Sequence, residues 1–151
     1  MIKATALQTA LLGLAVLCPA IGWAALGDNM ASVQADGVRM KAALRSTAAS
    51  GYAVHELQLP NGTMVREYLG PTGTVFAVTW HGPFSPDLRQ LLGPYFNTYA
   101  AAPRSAGSTR SRMAIDGPTL VMRTAGHIRA QAGVAYTPQS VPAGVNPETL
   151  P

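Results

Sequence analysis

The chain has 151 residues, 48% of them hydrophobic, and a net charge of +4. That length suits one small domain. The mild basicity suits solubility near anionic envelope polymers, and with no basic stripe interleaved with aromatics it argues against a nucleic-acid partner.

The first 24 residues read as a cleaved signal peptide. Lys3 supplies a positive start, and residues 4–17 are apolar apart from Thr5, Gln8 and Thr9. Pro19 ends any helix, and Gly22-Trp23-Ala24 places small residues at the −3 and −1 positions of a cleavage site. The apolar run is short for a membrane anchor, which needs about 20 residues. Leu17 stands where a lipoprotein signal wants a small residue before Cys18. Cys18 is the sole cysteine, so processing would leave no thiol and no disulfide. The expectation is a periplasmic or secreted protein with no membrane span after processing. Its expected organisation is one domain over residues 25–136 and a Pro-rich extended tail over 137–151.

Asp28 to Ala49 reads as a helix. Met30, Val33, Met40 and Leu44 share one face, with Asp28, Asn29 or Ser32 as N-cap. Ser46 to Gly51 reads as its stop and a linker.

Three strands follow, Tyr52–Leu59, Thr63–Leu69 and Thr74–Trp80, joined by Pro60-Asn61-Gly62-Thr63 and Pro71-Thr72-Gly73-Thr74. Pro presets the entry φ, and Gly supplies the left-handed position of a hairpin loop. A three-residue first loop sets Leu57 opposite Val65, Glu56 opposite Arg66, His55 opposite Glu67 and Val54 opposite Tyr68. The second turn admits two registers. A loop of Pro71-Thr72-Gly73 puts Phe76, Val78 and Trp80 with Arg66 and Glu56. A four-residue loop from Gly70 puts them with Leu57, Leu59, Val65 and Leu69. A one-residue slip flips every side chain, and each buried large apolar side chain contributes about 1.5–3 kcal/mol, so the second register is expected. His55 and Glu67 then lie on the apolar face, and Glu56–Arg66 forms an ion pair on the other.

Ser85-Pro86-Asp87 reads as a helix start, with Ser85 as cap and Pro86 at N1. Leu88, Leu91, Leu92, Tyr95 and Tyr99 form a buried stripe, and Gly93-Pro94 kinks or breaks the helix. Ala100 to Ser111 reads as a flexible surface loop carrying Arg104 and Arg110, with Arg112 next to it. A phosphate or polyanion contact is the sharper reading of those arginines. A second hairpin is expected from Thr119–Arg123 and His127–Gln131 around Thr124-Ala125-Gly126, with Leu120, Met122, Ile128 and Ala130 on one face. Beyond Thr137 the prolines rule out regular structure, with Val141 and Val145 as candidates for docking.

The expected fold is α+β: an N-terminal helix, an antiparallel sheet of about five strands (the meander plus the second hairpin) and a kinked helix packed on its apolar face.

Chemistry is sparse. His55-Glu56-Leu57-Gln58-Leu59 begins like a zinc-peptidase motif, but Leu59 occupies the second histidine's place and the segment reads as a strand. There is no nucleophile elbow and no P-loop. His55, His81 and His127 lack metal-ligand spacing. No catalytic, cofactor-binding or metal-binding residue is assigned, and no cofactor is expected. Two readings of function remain. One is a non-catalytic binding or accessory module whose partner is an envelope protein or polymer. The other is a small envelope hydrolase or lyase using His55 and Glu67.

Val54-His55-Glu56-Leu57, Pro60 to Thr63, Val65-Arg66-Glu67-Tyr68, Pro71, Gly73 and Val75-Phe76-Ala77-Val78 together resemble a family of exported bacterial proteins known only as a domain of unknown function. The likeness continues through Trp80, Gly82-Pro83, Pro86-Asp87-Leu88-Arg89, Leu91-Leu92-Gly93 and Tyr95-Phe96. It resumes at Gly126-His127, Arg129-Ala130, Ala135-Tyr136 and Pro142-Ala143-Gly144-Val145. The resemblance implies export and one small domain, and it supplies no activity and no site residue.

Overall fold

A computed structural model describes residues 26–103 and 112–151. The expected signal peptide and most of the arginine loop lie outside the described residues.

Helix α1 spans Met30–Arg39, capped by Asn29, whose side chain accepts from the Ala31 N–H at 2.9 Å. Val33 is fully buried, and Met30 and Met40 pack beside it. The helix ends ten residues earlier than expected. Lys41 takes a left-handed φ of 51°, and the chain turns into strand β1, Ala43–Ala49. β1 pairs antiparallel with β2, Tyr52–Gln58, through a tight turn at Ser50-Gly51. Ala-Leu-Arg-Ser-Thr-Ala-Ala carries no apolar alternation, so pairing with β2 decides its state against its helical propensity.

β2, β3 (Met64–Leu69) and β4 (Val75–Gly82) form the expected meander. The first loop has three residues: Leu59 N–H donates to the Thr63 carbonyl at 2.9 Å, and Gly62 takes φ 85°. The four cross-strand pairs predicted from that loop all occur. Arg66 Nε lies 2.8 Å from Glu56 Oε1.

The second turn combines the two registers. Gly70 N–H donates to the Thr74 carbonyl at 2.9 Å around a Pro71-Thr72-Gly73 loop. A β-bulge follows: Leu69 pairs with Val75 and Tyr68 with Ala77, which leaves Phe76 as the extra residue. The bulge restores Val78 and Trp80 to the face of Leu57 and Val65 and sends Phe76 to the opposite face, with Tyr68 and Ala77. The chosen face is therefore right for Val78 and Trp80 and wrong for Phe76.

Asp87, not Ser85, caps α2 (Leu88–Leu92), accepting from Arg89 N–H at 2.9 Å. Gly93-Pro94 breaks the helix as expected, through a single 3-10 turn into α3, Phe96–Ala101. Leu91 and Leu92 are fully buried against the sheet.

Three further strands complete the sheet: β5 (Met113–Asp116), β6 (Val121–His127) and β7 (Ala130–Tyr136). The order is β1-β2-β3-β4-β7-β6-β5, antiparallel throughout. Among the described residues seven strands thus replace the five expected. The two missed are the edges: β1, read as helix, and β5, four residues long. The second hairpin also turns later than expected, at Ile128-Arg129, with Arg129 at φ 63°. Gly126 lies within β6, where a Cβ would meet Gln131 Oε1 at 2.6 Å. It marks a close approach inside a strand and not the turn. Ile128, assigned to the apolar face, is 93% exposed at the tip.

Both sheet faces are covered. The helices lie over Leu57, Val65, Val78, Trp80, Leu120 and Met122. The C-terminal segment lies over Tyr68, Phe76 and Ala77, with Val141, Val145 and Leu150 packed there.

Candidate functional site

The pleat places Ser46, His55 and Glu67 side by side on β1, β2 and β3. They interrupt the apolar helix-facing side with a polar row. Helix α1 sets Asp36 over this row, because Val33, Asp36, Gly37 and Met40 recur at helical spacing on its inner face. From α2, Gln90 Nε2 donates to Asp36 Oδ1.

His55 and Glu67 are opposite in register but not bonded to each other. His55 Nδ1 lies 2.7 Å from Ser46 Oγ. Burial holds its imidazole below the usual histidine range, which favours the neutral ring. Glu67 is 1% exposed and Asp36 fully buried. Among the described residues no N–H or O–H reaches Asp36 Oδ2 or either oxygen of Glu67. Burial raises Asp36 to about 7, against the opposing effects of Gln90 and Arg39. Burial raises Glu67 to about 8, reinforced by the charge of Asp36, whose carboxyl lies within hydrogen-bonding reach. Two carboxylates accept only. The pair is satisfied when one of them carries a proton and donates it to the other.

The sequence assigned no site and paired His55 with Glu67 only in its alternative reading; the structure sets Ser46 with His55 and Asp36 with Glu67. Asp36 was missed, though its place three residues from Val33 already set it on the buried face. His81 and His127 lie on exposed strand ends, away from His55. Among the described residues no group of three His, Cys, Asp or Glu is placed to hold a metal ion, and no helix is long and apolar enough to cross a membrane.

Two surface features stand apart from this row. Strand β1 is exposed at all seven residues and, among the described residues, has no partner on its outer side. On the tail-covered face, an open groove of about 340 Å³ is lined by Thr79, His81, Arg123, Val134, Glu148 and Leu150. Its Arg123 already holds Asp116 and the Ile115 carbonyl, with Glu148 at 3.9 Å.

Residues 22–150 match the family model described as "Protein of unknown function (DUF2844)". The chain belongs to the DUF2844 family. No curated protein and no solved structure matches it. For this DUF2844 chain, the functional reading therefore rests on geometry.

Proposed function

We propose that this DUF2844 protein is an exported, non-catalytic binding module of the cell envelope, whose partner adds a strand to β1. The observation that carries the reading is the edge itself. A seven-residue strand with no proline and no bulge has its outer hydrogen-bonding groups unpaired among the described residues. Strand addition gives affinity through main-chain bonds and suits an extended segment of a partner protein. The opposite edge, β5, is only four residues long and offers less. Export is supported by the signal-like pattern of residues 1–24, a positive start, a short apolar run and small residues before Ala25. The burial of His55 and Glu67 supports binding over hydrolysis, because general acid–base chemistry needs a place for substrate beside the reacting groups.

A photo-crosslinking residue at Thr47, expressed in the native cells, tests this reading. One discrete adduct is expected, on a chain recovered from the envelope with a mass that begins at or near Ala25. Adding Ala49→Lys, which charges the edge without touching the core, should remove the adduct and leave the melting temperature unchanged. An adduct indifferent to the lysine, or none, defeats strand addition. A full-length mass, or acyl chains on Cys18, defeats the export assignment. Turnover of peptidoglycan, ester or peptide substrates that disappears in a folded His55→Ala variant would restore the hydrolase.

A further inference from the structure

Asp36 and Glu67 come from separate elements, α1 and β3, and Gln90 joins them from α2. Their one donor from the described residues is Gln90, which reaches a single oxygen; three carboxyl oxygens have none. We infer that a proton shared between Asp36 and Glu67 latches the helical layer to the sheet, and that its loss loosens α1.

A neutral acid donating to a neighbouring carboxyl ties α1 to β3 inside a dry interface, where such a bond is strong. With both groups ionised, two negative charges face each other and the desolvation of each goes uncompensated. The surroundings do not offset this. On the α1 side Arg39 lowers Asp36 while Asp28 raises it. On the sheet side the neighbour is His55, held neutral and turned to Ser46. From α2 the neighbour is the uncharged Gln90. Relief comes when α1 lifts and water enters.

The direction follows from linkage. Both acids titrate higher folded than unfolded, Asp36 at about 7 against 3.8 and Glu67 at about 8 against 4.5. Their contribution is full below about pH 4 and is lost as pH rises through 7 to 8. His55, lowered by burial, acts oppositely: its contribution is present above 6.5 and lost as pH falls. The latch is therefore read between pH 6.5 and 9.

The test is amide hydrogen exchange on the protein recovered from cells, corrected for intrinsic rates. Protection of the α1 amides should fall at least about tenfold from pH 6.5 to 9, while the β6–β7 amides hold. Glu67→Gln keeps a donor toward Asp36 without the second charge and should flatten the change in α1. Equal α1 protection at both pH values in the natural protein, or the full change retained in Glu67→Gln, overturns the latch. Should that variant not fold, carboxyl carbon NMR of the natural protein decides. Both carboxyls titrating in the ordinary range, near 3.8 and 4.5, also overturns it, and either of them titrating well above that range upholds it.

Discussion

Trp80→Ala is expected to lower folding stability by about 3–5 kcal/mol. Trp80 is 3% exposed on β4, between Val65 on one neighbouring strand and Gly133 on the other. Its indole lies against Gly133: a Cβ there would stand 2.2 Å from Cζ2. The glycine is thus the floor of the indole's site, and Gly133→Val should itself cost about 1–3 kcal/mol by overpacking. Combined, the two changes partly offset each other, since the valine enters space the indole has left. Urea denaturation of both single variants and the double closes the cycle. The double should be more stable than the sum of the singles by more than about 0.5 kcal/mol. Strict additivity would mean that the two residues do not share one space.

Deleting residues 138–151 is expected to have an effect of similar size. The sequence suggested that the domain ends at Tyr136, with a tail beyond it. Yet Tyr68 and Phe76, both fully buried, depend on that tail for their cover. Tyr52, Tyr68 and Phe76 form an aromatic cluster with centroids 5.9 to 6.3 Å apart. Val141, Val145 and Leu150 close over it. The main-chain oxygen of Pro151 accepts from the Tyr68 hydroxyl and, at 3.0 Å, from Thr79 Oγ1. Uncovering two large aromatic side chains at about 1.5–3 kcal/mol each gives a loss of about 3–6 kcal/mol. Thermal melts and binding of a hydrophobic dye read this directly. A truncated chain with an unchanged melt and no added dye binding would show the tail to be an appendage.

Local chemistry explains which parts of this fold were legible. Proline and glycine at fixed offsets set the first hairpin, so the pairs from Leu57–Val65 to Val54–Tyr68 could be read directly. At the second turn the same chemistry gave the loop, and apolar segregation gave the face of Val78 and Trp80. These two signals conflict by one residue, and the chain reconciles them by a bulge at Phe76. The edges were illegible for a different reason. A strand exposed at every residue carries no alternation, so Ala43–Ala49 offered no period of two to find. At the site, strand pairing placed His55 opposite Glu67 correctly. It could not say that α1 would land its Asp36 on that glutamate, because helix docking is decided by tertiary packing and leaves only a spacing cue in the sequence.

The strand order carries a kinetic consequence. β1 to β4 pair only with sequence neighbours, as do β5 to β7, and β4 against β7 is the one seam between the two sets. Each set can form by local hairpin closure, with little loop entropy to overcome. The seam joins residues far apart in the chain, such as Trp80 with Gly133 and Val78 with Ala135. Docking two preformed meanders along that line is then the late step of folding. Conservative truncations within the hairpins should change the folding rate, and truncations along the seam should chiefly change the unfolding rate. Until the seam closes, the backbone edges of β4 and β7 lie open, which makes the half-assembled chain the form most prone to exchange strands with another copy of itself.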